Sequence, residues 1–134
     1  MDKIEHIGIA VNNLEEANAT YKKLLGTAAY KQEEVESEGV KTSFFKIGES
    51  KIELLGATRE DSPIAKFLKK KGEGIHHIAF AVSDIEQKIK ELEADGFEVL
   101  NKTPKKGADN KRVAFLHPKS SHGVLVEICQ EIKK

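Results

Sequence analysis

The sequence predicts an α+β fold made of two tandem β-α-β-β-β modules. Three observations carry this. A stretch near the amino terminus recurs past the midpoint, each copy runs through a helical pattern to a glycine, and short strand patterns follow each glycine. "HIGIAVNNLEEA" (6–17) overlies "HIAFAVSDIEQK" (77–88) without a gap. His6 then falls on His77, Ala10 on Ala81, Val11 on Val82, Leu14 on Ile85 and Glu15 on Glu86.

Each copy opens on a strand, because its apolar residues alternate with small or polar ones. In the first module Asn12 and Glu15 have a loose capping-box spacing. Leu14, Ala17, Tyr21 and Leu24 then form a helical stripe that stops at Gly26. Strands are expected over 28–35, 41–47 and 51–55, the last two joined by Gly48, Glu49 and Ser50. Ser62 followed by Pro63 opens a linker helix through Phe67 and Leu68. In the second module Ser83 and Glu86 form the capping box, Ile85, Ile89 and Leu92 the stripe, and Gly96 the stop. Strands are expected over 97–100, 112–116 and 124–129. Neither half is long enough to be comfortable alone, so one domain over 1–134 is expected. Module one covers about 1–58, the linker helix about 62–71 and module two about 75–131.

Composition narrows the function classes. Lys plus Arg and Asp plus Glu both number 22, giving zero formal net charge, which argues against a general nucleic-acid or membrane-surface binder. The single cysteine, Cys129, excludes an internal disulfide and fits a reducing compartment. No apolar run approaches a membrane span, and the chain enters a strand pattern almost at once, leaving no room for a signal peptide. The expectation is a cytoplasmic protein.

Alternation puts His77, Ala79 and Ala81 on one strand face, and Ile78, Phe80 and Val82 on the other. The first copy sets His6, Gly8 and Ala10 against Ile7, Ile9 and Val11. Bulky residues suit packing against helices, whereas a histidine among glycine and alanine leaves volume for a pocket. His77 is therefore expected to face a cavity, and His76, at the very start of the strand, to be exposed. The last strand of each module carries a carboxylate, Glu53 in "KIELLG" and Glu127 in "VLVEIC". Such a group is costly to bury unpaired. Taken singly, a strand histidine reads as structural and a strand glutamate as part of a solvated face. The same pair, however, occurs twice in register. If the modules pack about a pseudo-twofold axis, His6, Glu53, His77 and Glu127 converge. Two imidazoles and two carboxylates suit Co²⁺, Mn²⁺, Ni²⁺, Zn²⁺ or Fe²⁺, with positions left for a ligand.

These features resemble the vicinal oxygen chelate (glyoxalase/bleomycin resistance/dioxygenase) superfamily. The closer resemblance is to the methylmalonyl-CoA epimerases and spans nearly the whole chain, through "HIGIAV", "KIELLGATREDSPIAKFLKKKGEGIHHIAFAV" and "AFLHPKSSHGVLVEI". It implies a curved, partly open mixed sheet around a central metal site. It further implies ligation by His6, Glu53, His77 and Glu127, with Co²⁺ the first choice of ion. Many members have Gln where this chain has Glu53, an oxygen ligand either way. The segment His117, Pro118, Lys119 and Ser120 is implied to line the acyl-CoA site, with Lys119 and Ser120 as the binding residues. A homodimer is implied as well. Lys105, Lys106, Lys111 and Arg112 are candidates for the phosphates of coenzyme A, against the ordinary reading of such charges as solvated surface.

The implied activity is interconversion of (R)- and (S)-methylmalonyl-CoA by C2 deprotonation through a metal-stabilised enolate. Inversion needs acid–base groups on two faces of a planar enolate. The resemblance makes Glu127 one of them. The other is a glutamate in a motif similar to Gly-Val-x-Glu, and the aligned stretch here, "GVKTSFF", has Thr42 at that position. The second group is therefore open, between an ordered water held by Thr42 and a different side chain reaching in from a loop, and Glu36 and Glu38, close to a turn, are not assigned to it. Two alternatives share the fold: glyoxalase I, acting on a glutathione hemithioacetal, and a non-catalytic small-molecule or metal-binding protein. "REDSPIAKFL" and "FLHPKSSHGVLVE" favour the epimerase. An extradiol dioxygenase fits less well, because a fourth protein ligand takes a position needed by catechol or O₂.

Overall fold

The computed structural model describes residues 1–132. Among them are eight strands and three α-helices, alternating as expected for two β-α-β-β-β modules. The first module contains β1 (Lys3–Ala10), α1 (Leu14–Leu25), β2 (Lys31–Val35), β3 (Val40–Ile47) and β4 (Ser50–Ala57). After α2 (Pro63–Lys71) come β5 (Gly74–Ala81), α3 (Ile85–Ala94), β6 (Lys105–Lys106), β7 (Lys111–Leu116) and β8 (Val126–Glu131). No helix among them is long and apolar enough to cross a membrane.

The chain divides into two compact units, His6–His76 and Met1–Glu5 together with the chain from His77 onward. The boundary thus runs through β1 and β5. In the first unit the strand order is β2-β3-β4-β1, with β4 and β1 parallel and the other pairs antiparallel. The second unit repeats this as β6-β7-β8-β5, with β8 and β5 parallel.

Each unit has its own core. In His6–His76, Val11, Phe45 and Leu54 are buried under α1, and Ala10 and Leu55 are buried together with Ile64 of α2. The linker helix therefore belongs to this unit. The other unit buries Val82, Ile85, Ile89, Val99, Ala114, Leu116 and Ile128 together. The α3 stripe is the expected one, but α1 presents Leu25 beside Leu14, Ala17 and Tyr21, while Leu24 is 70% exposed. Ile85→Ala is accordingly expected to cost about 2–5 kcal/mol in a urea titration. Leu24→Ala should stay within about 0.5 kcal/mol of the parent in the same measurement.

Both helix starts lie one residue beyond the expected caps. Asn13 accepts from the Glu16 N–H at 3.0 Å and Asp84 from the Gln87 N–H at 3.1 Å. Of the residues before them, Ser83 has its side chain committed elsewhere, whereas Asn12 is bonded through its backbone. Asn12 donates its N–H to Glu73, and the Ser83 hydroxyl donates to Asp2. Asn and Asp cap as well as Ser, so the shift is cheap. Gly26 closes α1 in the left-handed region at φ 75°, as its position suggests.

The expected strand at 97–100 reduces to a single bridge between Val99 and Leu116. Glu98 and Leu100 still bond β7 on either side of it, the His117 N–H donating to the Glu98 carbonyl and the Leu100 N–H to the Phe115 carbonyl, both at 2.8 Å. Asn101 stops the pairing from running further. Its side-chain oxygen accepts from the Phe115 N–H at 2.9 Å and its amide donates to the Val113 carbonyl at 3.0 Å, occupying the edge of β7. The strand resumes only at Lys105, as β6.

Candidate active site

The two histidine–glutamate pairs form, one in each unit. His6 Nδ1 lies 3.1 Å from Glu53 Oε2, and His77 Nε2 lies 3.3 Å from Glu127 Oε1. All four residues are buried.

Strand register explains why the same pairing arises twice. Glu53 on β4 stands directly opposite Gly8 on β1, and Glu127 on β8 directly opposite Ala79 on β5. In each case the histidine is two residues earlier, on the same face. Gly8 and Ala79 offer almost no side chain, so the carboxylate is free to lean along the strand to the imidazole. On their other side the glutamates meet Phe44 and Phe115, again at matching positions. The Phe115 ring meets His77 edge-on at 6.2 Å between centroids. A lysine ammonium covers each phenylalanine, Lys31 at 4.8 Å from the Phe44 centroid and Lys105 at 5.9 Å from that of Phe115. Nothing in the sequence repeat pointed to these two lysines.

The adjacent histidines of β5 differ in burial, as alternation leads one to expect. His77 is buried with Glu127, whereas His76 is only half-buried and packs edge-on against Phe67 at 4.9 Å.

The donor set passes a simple test for a divalent ion. Two ligand bonds of about 2.1 Å at roughly a right angle put their donor atoms about 3.0 Å apart. The two observed separations, 3.1 and 3.3 Å, are close to this. A cation also compensates carboxylates that are otherwise expensive to bury.

Most of the other candidate residues are already engaged. Lys119 and Ser120 lie in a 3₁₀ turn, Pro118–Ser121, after β7. The Ser120 hydroxyl accepts from the Glu98 N–H at 2.9 Å, and Lys119 Nζ lies 3.3 Å from the Glu98 carboxylate. His117 Nδ1 accepts from the Lys119 N–H, which fixes the entry to the turn. Lys111 is buried beside Asp109 and Arg112 reaches Glu86 at 3.1 Å, so within their unit both have anionic partners. Lys105 lies over its ring and Lys106 is exposed. Glu36 and Glu38 form the 3₁₀ turn before β3, where Arg59 donates to the carbonyls of Glu36 and Ser37. Arg59 also hydrogen-bonds Asp61, which holds that carboxyl below its ordinary range. Thr42 is 2% exposed, on the same face of β3 as Phe44.

Known proteins share both sequence and fold with this chain. The pattern of the glyoxalase/bleomycin resistance protein/dioxygenase superfamily matches residues 5–115. The chain is 43% identical to a mitochondrial methylmalonyl-CoA epimerase of Dictyostelium discoideum over 94% of its own length and 76% of that protein's. It is 42% identical to an ethylmalonyl-CoA/methylmalonyl-CoA epimerase of Cereibacter sphaeroides, covering 96% of this chain and 97% of the other. Among solved structures it is similar to a methylmalonyl-CoA epimerase in complex with methylmalonyl-CoA and NH4+. That match has a TM-score of 0.93 and 38% identity, covering 98% of this chain and 95% of that one.

Proposed function

The chain belongs to the glyoxalase/bleomycin resistance protein/dioxygenase superfamily, among its methylmalonyl-CoA epimerases, and we propose that it interconverts (R)- and (S)-methylmalonyl-CoA. The observation that carries this reading is the repeated pair: each unit buries one histidine against one glutamate at equivalent register positions. We propose that the units act as one domain in which His6, Glu53, His77 and Glu127 hold a single divalent ion, Co²⁺ first among those considered.

When bound, that ion supplies Lewis-acid stabilisation for the negative charge that develops on the thioester oxygen. The remaining work falls to the chain. The C2 proton is flanked by a thioester carbonyl and a carboxylate, and the carboxylate makes its removal harder. Glu127 takes or returns that proton on one face of the substrate. Its burial between Ala79 and Phe115 keeps bulk water from competing for the site. Inversion requires a second group on the opposite face. Lys119 and Ser120, in the turn after β7, are proposed to meet the acyl-CoA portion; the Lys119–Glu98 pair is exposed, 71% of the lysine side chain, so a phosphate can take the place of the carboxylate. The resemblance also supports a homodimer, and the composition of the chain, with a single cysteine, supports a reducing compartment such as the cytoplasm.

Glyoxalase I is the rival reading, and the relatives favour the epimerase. Incubating Co²⁺-loaded protein with (S)-methylmalonyl-CoA in D₂O separates them. Appearance of the (R) epimer carrying deuterium at C2 is the expected result. An unchanged thioester, with turnover of the methylglyoxal–glutathione adduct, assigns the protein to glyoxalase chemistry instead.

A further inference from the structure

Epimerisation leaves one half of the proton inventory without an owner. One carboxylate takes the C2 proton, and the bonding pair passes into the thioester enolate. A second group, starting protonated, delivers a proton to the opposite face, and exchange with solvent resets both. Glu127 supplies one of these groups. Thr42 cannot supply the other, because a threonine hydroxyl is far too weak a base at neutral pH.

The register of the His6–His76 unit shows which side chains share a face with His6. Lys31, Phe44, Glu53 and Gly8 form one cross-strand row over β2, β3, β4 and β1. Glu33, Thr42, Leu55 and Ala10 form the next. Among the paired positions on this face only Glu33 and Glu53 carry carboxylates. The other ionisable groups there are His6, Lys31, Lys46 and Lys51, and an ammonium has no lone pair to accept a proton. Glu53 is already paired with His6.

Glu33 stands directly across from Thr42. Thr42 is short and buried, so the longer glutamate beside it reaches further from the sheet. Glu33 is also drawn toward the His6–Glu53 row. Its Oε1 lies 3.7 Å from Lys31 Nζ, and that ammonium sits over the ring of Phe44, the immediate neighbour of Glu53. Its side chain is 35% exposed, which allows it to trade protons with solvent between turnovers.

We propose that Glu33 is the second acid–base residue, with Lys31 as its positioning residue. The assignment rests on the epimerase reading. A glutamate on β2 opposite a small residue on β3 then does the work that the sequence motif leads one to seek on β3.

The test is Glu33→Gln, assayed in D₂O with each epimer separately, alongside Co²⁺ binding and a thermal midpoint. Inversion should fall at least about 100-fold, the usual worth of a positioned acid–base group. One epimer should still exchange its C2 proton for deuterium with retention, through Glu127, and Co²⁺ uptake should match the parent. Inversion within a few-fold of the parent overturns the assignment. Loss of exchange from both epimers in a folded, Co²⁺-binding variant also overturns it, since Glu33 would then serve both faces alike. Should Glu33→Gln fail to fold, Glu33→Asp provides the same reading, with a shortened carboxylate that keeps its charge beside Lys31. Parent protein inert toward both epimers would instead sink the epimerase reading itself, a result distinguishable from every outcome for the variant.

Discussion

Glu127→Gln is expected to lower interconversion of the epimers at least about 100-fold, and to do so without unfolding the protein. The substitution keeps the size of the side chain and an oxygen that can face His77, but it removes the charge and the basicity. Glu127 is 6% exposed on β8 and flanked by Ala79 and Phe115. A buried side chain so placed responds to a change of volume, and glutamine makes almost none. The loss of one charge-assisted contact to His77 should shift stability by only about 1–3 kcal/mol. Urea titration and the deuterium assay, run on the same preparation, separate the two effects. A variant that inverts substrate at nearly the parental rate would remove Glu127 from the chemistry.

His77→Ala is expected to abolish uptake of Co²⁺, while His76→Ala leaves it nearly intact. The two residues are adjacent in sequence and chemically identical, so the contrast isolates strand register. His77 is 6% exposed and paired with Glu127; its removal takes one imidazole from the proposed ligand set and leaves a buried carboxylate poorly compensated. His76 points the other way and gives Phe67 an edge-on contact at 4.9 Å. Losing that contact should cost about 0.5–1.5 kcal/mol of stability and no metal affinity. Isothermal titration with Co²⁺ reads both variants directly. The opposite pattern would mean that the face of β5 has been misassigned.

Much of this was legible before any coordinates. The choice of His77 over His76 followed from alternation alone, because residues two apart share a strand face. The two glutamates stood out as carboxylates inside apolar strands. Their equivalence is now physical: Gly8 and Ala79 are the small residues opposite them that let each carboxylate reach its histidine. What the sequence could not show depended on partners distant along the chain. Ser83 looked like a helix cap until Asp2 claimed its hydroxyl, and at α1 the cap is Asn13 where Asn12 was expected. The strand expected at 97–100 bonds β7 through Glu98 and Leu100, and Asn101 then takes the next stretch of that edge, so the pairing stays a single bridge. Leu24 and Leu25 are adjacent and equally apolar, and only the direction of α1 decides which is buried. Glu33 was hidden for the same reason. In "KQEEV" it is one charge among several, and its place opposite Thr42 appears only once β2 is paired with β3.

Counting the bound ion tests the central claim most directly. Metal-free protein titrated with Co²⁺ should take up one equivalent per chain, and His6→Ala or His77→Ala should each remove all of it. Two independent equivalents, one surviving in each variant, would show that each histidine–glutamate pair binds separately. No uptake at all would mean the pairs are structural, and either result would contradict a site shared by four side chains.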